Sequence, residues 1–520
     1  MSSFRRLARL LSPPMLLAIG LILLIGSWIG ANAPGEAPDE PANYVKAVGA
    51  GHGQFYGTST TLKNPSFPPA EGQAQRIAWI ELNTRAFRIP AGLNPEPLTC
   101  ANEQYRLTLP TTCSKDVPQR QPATTWSSYV GTYQPYVYAV AGFFMNRMSG
   151  SISALYMGRV IIALICATFI ALAVAASWDR RAGPISLAGV AIAASPMVLF
   201  LGSAIGANGV EIASALCLFA VVLRGARTDP PPWLWAAGSA AAATTILARP
   251  TGLAWLVLAA ALAVIRHGPR RLLAALKRPG KRRIAIGVTV LGVAAALAWD
   301  ETLQPHPKLD LGLAWRSLRH WPKELTRLVK EWIGVFGWAS LPMNRLVYVL
   351  VLTLAALLVI AALIAAPTLR ERLLVLGALA GAVVITLAMD ALVFQQTYFP
   401  VYGRYLLPIG MLVPLVSGDT VTRFRDRIPP LALRIGAPVV LVGMGLVQLT
   451  GVWTSARRSA VGVDGPRWFF GTPGWAPPGG WWWVALLAGA GAAFVIAGAI
   501  GGEQRRVAEP EPRPTVSASV

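Results

Sequence analysis

Long apolar segments alternate with short charged segments along most of this chain. The first apolar segment runs from about residue 15 to residue 30. Eleven more follow, at residues 152–177, 184–203, 208–224, 233–248, 251–265, 284–299, 345–366, 373–394, 404–418, 435–453 and 481–500. Because a helix of roughly 20 apolar residues crosses a bilayer, the pattern predicts an all-α polytopic membrane protein with about 12 transmembrane helices.

The charges of the connecting segments predict the orientation. Arg and Lys are concentrated in "SWDRRAG", "RGARTDPPP", "RHGPRRLLAALKRPGKRR", "PTLRER", "TRFRDRIPPLALR" and "EQRR", which all fall on one side of the predicted helices. Basic segments tend to stay in the cytoplasm, so we expect both termini there. The basic start of the chain, its first apolar segment and "ANA" would also fit a cleaved signal peptide. We favour an uncleaved first helix because so many helices follow.

The outer segments define the predicted domain organisation. Residues 1–31 form the cytoplasmic N-terminus and first helix, and residues 32–151 form a large extracytoplasmic loop. That loop ends in "YQPYVYAVAGFFMN", which is too short to span a bilayer and is typical of an interfacial or re-entrant helix. Residues 152–500 contain helices 2 to 12, with outer loops at 300–344 and 454–480. Residues 501–520 are predicted to be a disordered cytoplasmic tail.

Two outer segments have patterns of their own. In "PKELTRLVKEWIGVFGW", the apolar residues share one helical face (Leu325, Leu328, Val329, Trp332, Ile333 and Phe336). This spacing predicts an amphipathic helix on the outer leaflet. The tryptophans of "GWAPPGGWWW" are typical of an aromatic belt at the membrane interface, and stacking on a sugar is the alternative.

Composition agrees with a membrane protein, since 54% of residues are hydrophobic, 13% are charged and mean hydropathy is +0.50. The net charge of +22 would also suit nucleic-acid binding, but the positions of the basic segments already explain it. We therefore expect no nucleic-acid partner. Cys166 and Cys217 lie within apolar segments, whereas Cys100 and Cys113 share the large outer loop. An oxidising compartment would allow those two to form a disulfide.

The sequence lacks the motifs of several known classes of enzyme and transporter. The sequence has no Walker A motif, no G-x-G-x-x-G after a strand, no His/Cys group with zinc-ligand spacing and no nucleophile elbow. An ATP-driven pump and a membrane zinc protease are therefore not expected.

Polar residues at the outer ends of the predicted helices are the candidates for chemistry. They are Asp39, Glu40 and Tyr44 after the first helix, Arg159 in the second, Asn208 and Glu211 in "GANGVEI", Arg249 in "LARPTG", Asp390 in the ninth, and Arg404 and Tyr405 in "VYGRYLLP". Charged groups at membrane depth are costly, so each invites a functional interpretation. Each also has a structural alternative, such as an ion pair, a helix-dipole contact or a lipid-headgroup contact.

Arginines and carboxylates on one face suit a phosphate-bearing substrate. Arginine binds phosphate in a bidentate manner and stays charged. A carboxylate can accept a proton from a hydroxyl, or it can hold a divalent cation that neutralises a phosphate leaving group.

Four motifs in order resemble a known family. "PDEPANY" after the first helix, "GANGVEI", "VFGWASLP" and "GRYLLP" resemble the bacterial domain-of-unknown-function family 2142, over roughly residues 10–455. That family is similar to the GT-C superfamily of membrane glycosyltransferases, which take a sugar from a polyprenyl-phosphate donor on the extracytoplasmic face. Asn43 stands where the family often has His.

The resemblance implies roles for individual residues. Asp39 matches the position of the catalytic or metal-binding acid, and Glu40 is its neighbour. Arg404 and Tyr405 match a segment suited to phosphate binding, and Arg249 or Arg159 would assist. The remaining substrate-binding candidates are Tyr44, Asn208 and Glu211. The cofactor that the chemistry allows is a divalent cation (Mg, Mn or Ca).

The resulting hypothesis is an inverting glycosyltransferase of a bacterial plasma membrane. Its partners would be a polyprenyl-phosphate-linked sugar, membrane lipids, and an envelope glycan, lipid or protein acceptor. A transporter or flippase of lipid-linked sugars would use the same arginines without a catalytic acid. A non-catalytic membrane scaffold would need neither Asp39 nor Glu40.

Overall fold

A computed structural model describes residues 11–60, 72–98, 107–111, 124–225, 231–270, 272, 281–303, 312, 315 and 321–508. The helices are α1 Pro13–Ala31, α2 Glu40–Gly51, α3 Gln73–Asn83, α4 Tyr136–Met145, α5 Ser151–Ser177, α6 Ala188–Ala193, α7 Pro196–Leu201, α8 Ala207–Gly225, α9 Pro232–Ala248, α10 Gly252–His267, α11 Lys281–Leu303, α12 Trp321–Gly334, α13 Arg345–Ala365, α14 Leu369–Thr397, α15 Leu407–Arg423, α16 Pro430–Val461 and α17 Trp482–Ala508. The strands are β1 Thr58–Ser59, β2 Arg85–Ile89, β3 Thr124–Ser128, β4 Val335–Phe336 and β5 Leu341–Pro342.

The predicted all-α membrane architecture is confirmed. Within the described residues, eight helices are long and apolar enough to cross a membrane: α1, α5, α8, α11, α13, α14, α16 and α17. Three further predicted segments form the shorter helices α9, α10 and α15, of 16 or 17 residues. These three are shorter than the roughly 20 residues that cross a bilayer without a tilt or a break.

The predicted third span, 184–203, is broken into several short pieces. A 3₁₀ helix, Gly183–Leu187, leads into α6, and α7 begins at Pro196 after an extended Ser195. Proline has no backbone N–H and disfavours helical geometry in the residue before it, so a helix ends readily at this position. The pieces are buried among the other helices, which explains why hydropathy alone does not show the break.

The first and last long helices pack closely against each other. A Cβ atom on Gly20 of α1 would lie 2.7 Å from the carbonyl oxygen of Gly491 of α17. Small residues at such an interface allow the backbones of membrane helices to approach. This contact joins the two ends of the chain within one helical bundle.

A small layer of strands and one short helix covers one end of the bundle. Strands β1, β2 and β3 form an antiparallel sheet in that order, with Phe87 of β2 paired to Trp126 of β3. Helix α4, at the predicted interfacial segment, buries Tyr138 and Ala141 and leaves Phe143 half exposed. One apolar face of α4 therefore packs on protein while the other stays open.

Helix α12 contacts protein rather than lipid along much of its apolar face. Leu328 and Ile333 are buried, and the Ser195 hydroxyl donates a hydrogen bond of 2.7 Å to the carbonyl of Trp332. The helix ends at Gly334, so Phe336 lies in β4, where it packs on Trp28 and Phe200. The expectation of an outer-leaflet helix through Phe336 is corrected, because the bundle supplies the apolar partner that the pattern assigned to lipid.

The two ends of the bundle carry separate charged clusters. At the end predicted to be cytoplasmic, Arg266 pairs with Glu371 and with Asp419, the latter at 2.9 Å. At the other end lie Asp39, Arg249 and their partners. Segments that the loop charges place on the same side of the membrane therefore meet in the structure.

Some predictions fall at or beyond the limits of the described residues. Cys100 and Cys113 lie outside the described residues, whereas Cys166 and Cys217 are buried free thiols. Helix α17 continues to Ala508, into the segment predicted as a disordered tail, and residues 509–520 lie outside the described part.

Candidate functional site

Asp39 lies at the turn between α1 and α2 in a left-handed backbone conformation, with φ of 60°. Asp tolerates this conformation better than most residues, at a cost of about 1 kcal/mol or more. Its Oδ1 accepts a hydrogen bond of 2.9 Å from the Tyr129 hydroxyl, and its Oδ2 accepts one of 3.3 Å from Arg404. The side chain is 20% exposed. The carboxylate is therefore fixed in direction and still open to a ligand.

Arg404 is held between aromatic rings. It lies in a 3₁₀ turn, Gly403–Tyr405, with its guanidinium 4.2 Å from the ring centroid of Tyr402 and 4.8 Å from that of Tyr405. Its Nη2 also donates to the Tyr405 hydroxyl at 3.1 Å. Its Nε is buried and has no hydrogen-bond partner in the described part of the chain.

Arg249 approaches the same tyrosine from another direction. It follows α9 in an extended conformation, and its guanidinium lies 4.4 Å from the ring centroid of Tyr405. The Nη1 atom is 3.7 Å from Oε2 of Glu211, which is too long for a hydrogen bond. Among the described residues, neither Nε nor Nη1 of this arginine has a hydrogen-bond acceptor. Arg249 is only 9% exposed, so these unused donors are an unusual cost.

Glu211 is fixed from the opposite side. Its Oε1 accepts hydrogen bonds from the hydroxyl of Thr251 and, at 2.8 Å, from the indole of Trp255. Residues at the start of α10 therefore hold the carboxylate that α8 carries, close to the guanidinium of Arg249.

Some of these groups line a narrow cleft, whereas Arg404 and Glu211 lie outside its lining. The space between the lining side chains is about 400 Å³, part of it open to solvent. Asp39, Arg249 and Tyr405 line it together with the start of α8 at residues 206–209. That segment includes Asn208, and the remaining polar lining consists of Asn43, Tyr133 and Tyr138.

Three tyrosines between β3 and the middle of α4, Tyr129, Tyr133 and Tyr138, were missed by sequence reasoning. Tyr129 donates to Asp39, and Tyr138 donates to Asn43 at 2.8 Å. Burial, followed by the nearby Asp39, raises the pKa of Tyr129 well above its ordinary value. Burial also raises the pKa of Tyr133, to about 12, against an opposing effect of Arg249. Both hydroxyls therefore stay protonated at neutral pH. The tyrosine-rich run "SYVGTYQPYVY" was the available signal.

Glu40 and Arg159 form a buried ion pair away from the cleft lining. Arg159 donates to both Glu40 oxygens, at 2.8 and 2.5 Å, and its other N–H groups reach the carbonyls of Ile29, Asn32 and Ala33. Glu40 also accepts from backbone N–H groups and is fully buried. With every donor and both oxygens engaged, the pair holds the end of α1 against α2. We assign neither residue to substrate.

Two other predicted residues, Tyr44 and Asp390, also lie outside the cleft lining. Tyr44 is fully buried and donates to the carbonyl of Leu93 at 3.1 Å, away from the cleft lining. Asp390 accepts from the N–H of Val401 at 3.0 Å and so supports the segment before Arg404. The structure brings Asp39, Asn208, Arg249, Glu211, Arg404 and Tyr405 together.

The residues around Asp39 do not fit a divalent cation. In the ranges that the structure describes, no three His, Cys, Asp or Glu side chains lie close enough to share a metal ion. The two Asp39 oxygens already face a hydroxyl donor and a guanidinium, and Glu40 is committed to Arg159. A cation needs several oxygen ligands and would be repelled by the adjacent guanidinium.

Fold and site together define a multi-pass membrane protein with a polar, arginine-lined cleft at one end of its helices. The chain belongs to the family described as predicted membrane proteins, DUF2142, whose model matches residues 21–413. The matched segment contains every residue of the cleft. No curated protein matches the sequence.

A solved structure with some likeness is that of ArnT from Cupriavidus metallidurans bound to undecaprenyl phosphate. The two chains are 13% identical, with a TM-score of 0.42. The alignment covers 94% of this chain and 77% of ArnT. At this level the likeness assigns no residue and no activity to the present chain.

Proposed function

We propose that the protein is a membrane glycosyltransferase that moves a sugar from a polyprenyl-phosphate donor to a glycan, lipid or protein of the bacterial cell envelope. The observation that carries the proposal is that a group able to bind an anion and a group able to accept a proton lie in one cleft. Asp39, whose carboxylate is partly exposed, and Arg249 line the cleft, and Arg404 donates to Asp39 from outside the lining. Both guanidiniums are buried and carry N–H groups without hydrogen-bond partners among the described residues.

The guanidiniums provide the anion-binding half of the site. An arginine held with unused donors keeps its charge and its planar geometry for a phosphate. The Tyr405 ring fixes the separation of Arg249 and Arg404. Because the donors are preorganised, a phosphate would bind without the cost of ordering two long side chains.

Asp39 provides the proton acceptor in this proposal. The acceptor hydroxyl loses its proton to Asp39 as its oxygen forms a bond to the anomeric carbon of the sugar. The bond between that carbon and the phosphate oxygen breaks, and the polyprenyl phosphate leaves with the electron pair, facing the arginines. Attack opposite the leaving group inverts the anomeric carbon. Tyr129 and Arg404 aim the carboxylate, so a small displacement of either would slow transfer.

The cleft lies at the end of the bundle that the loop charges place outside the cytoplasm. Both termini would then be cytoplasmic, and the acceptor would be part of the envelope outside the plasma membrane. Helices around the cleft would let a lipid-linked donor enter from the bilayer while its phosphate reaches the polar end.

Purified protein in nanodiscs, given a panel of polyprenyl-phosphate sugars, tests the proposal. Donor binding and release of the sugar are measured for the wild type, for Asp39→Asn and for Asp464→Asn. Asp464 is an exposed carboxylate in the loop after α16 and serves as a matched control. We expect Asp39→Asn to keep donor binding within about threefold and to lower sugar release at least about 100-fold, as loss of a general base does.

Three other results of this experiment would contradict the proposal or part of it. Equal sugar release by wild type and Asp39→Asn would contradict the role of Asp39. Donor binding without sugar release in any variant, together with movement of the lipid-linked sugar across the bilayer, would favour the flippase. Absence of donor binding in the wild type would overturn the proposal.

A further inference from the structure

We infer that the N-terminus of α8, at residues 206–209, is the binding site for the donor's phosphate group, with Arg249 as the charged residue that contacts the phosphate. The inference rests on the proposed function and makes it more specific. It gives a role to the "GANG" turn, which neither the ion pairs nor the aromatic contacts of the cleft explain.

The first part of the argument is the exposed positive end of α8. The first N–H groups of an α-helix have no partner within the helix, and the helix dipole adds partial positive charge there. Helix α8 has 19 residues and no acidic residue in its first turn. Gly206 and Asn208 are partly exposed, and both line the cleft. The positive end of the helix therefore faces the cleft without a carboxylate from its own first turn.

The second part is Arg249, which points to a ligand independently of the helix. It is 9% exposed, and two of its nitrogens lack hydrogen-bond partners among the described residues. Glu211 balances its charge at 3.7 Å without accepting a hydrogen bond from it. A buried guanidinium with free donors is completed by an anion, and Arg249 lines the same cleft as residues 206–209.

The third part is the rigidity of the turn. The N–H of Ile205 donates to Glu40 at 3.3 Å, so the buried ion pair with Arg159 fixes the residue before Gly206. A Cβ on Gly209 would lie 2.2 Å from the carbonyl oxygen of Leu201. A Cβ on Gly206 would lie 3.2 Å from the Asn43 amide nitrogen. The turn is thus held from three sides, as an anion site built from backbone donors requires.

The test uses polyprenyl phosphate without a sugar, bound to the protein in nanodiscs. Asn208→Asp places a carboxylate at the position proposed for the phosphate, while an acid there also favours the helix N-terminus and preserves the fold. Asn208→Ser is the matched neutral control. We expect the Kd to rise about tenfold or more in Asn208→Asp and to stay within about threefold in Asn208→Ser.

A double variant tests the partner without adding net charge. Arg249→Gln combined with Glu211→Gln removes both members of the pair, and we expect it to weaken lipid binding about tenfold or more. A thermal unfolding profile like that of the wild type shows that the fold is retained. Unchanged lipid binding in both Asn208→Asp and the double variant would overturn the inference, provided that the wild type binds.

Inorganic phosphate separates the two sources of the same chemistry. If inorganic phosphate displaces the lipid only at concentrations far above the lipid's Kd, the site is one for the lipid donor. If inorganic phosphate displaces the lipid at concentrations equal to that Kd, the site is one for free phosphate and the assignment to the donor is overturned. A wild type that binds no polyprenyl phosphate would instead count against the proposed function itself.

Discussion

Replacing each of the two adjacent acids at the start of α2 by its amide should affect a different property. Glu40→Gln should lower the stability of the protein, whereas Asp39→Asn should remove its activity. Glu40→Gln removes the charge that balances Arg159, whereas Asp39→Asn alters a partly exposed carboxylate. Removing one member of a buried ion pair costs about 3–5 kcal/mol, because the other charge stays buried. Three carbonyls continue to accept from Arg159, so we expect a loss near the lower limit, about 3 kcal/mol.

The expected loss for Asp39→Asn is smaller. Its contact with Arg404 is 3.3 Å long, and the asparagine oxygen can still accept from one of the two donors. A hydrogen bond of this kind contributes about 1 kcal/mol. Asparagine also tolerates the left-handed backbone conformation that position 39 requires. Asp39→Asn should therefore be stable and inactive, and Glu40→Gln should be unstable.

Thermal unfolding followed by intrinsic fluorescence measures the difference, since the chain has 18 tryptophans. Both variants are compared with the wild type in the same nanodiscs, and sugar release is measured on the folded fraction. The double variant Glu40→Gln with Arg159→Met is the control, because it removes both charges and should recover part of the lost stability. A Glu40→Gln variant as stable as the wild type would refute the structural role of the pair.

Two further predictions concern charged groups outside the cleft lining. Glu331 of α12 accepts from the N–H of Gly403 at 2.5 Å, so Glu331→Ala should release the turn that carries Arg404 and raise the donor Kd about threefold to tenfold. The control is Glu324, which contacts Arg327 and not Gly403, so Glu324→Ala should leave donor binding unchanged. Equal effects of Glu331→Ala and Glu324→Ala on the donor Kd would contradict the prediction. Lys46 is fully buried, and burial, followed by Arg85, lowers its pKa from 10.5 to about 7. The folded protein therefore favours the neutral amine, so stability should rise as pH increases from about 7 towards 10. The rise in unfolding midpoint should be absent from Lys46→Met, and an equal rise in both proteins would rule out this origin.

The fate of α12 shows where hydropathy patterns lose information. Its spacing correctly predicts a helix with one apolar face. The pattern says only that the face avoids water, and both lipid and protein satisfy that condition. Ser195 and Gly403 come from distant parts of the chain and contact α12, and so provide part of the protein partner.

The sequence by itself determined the membrane class, most of the helical segments and the group of polar residues at one end, including Asp39, Arg249 and Arg404. These follow from local properties, namely the length of apolar runs and the sign of loop charges. Only the tertiary structure decided that Glu40 serves the fold while Asp39 faces the cleft. That decision depends on Arg159, which is 119 residues away from Glu40 along the chain. Hydrogen-bond partners at such separations are set by helix packing, and no local pattern encodes them.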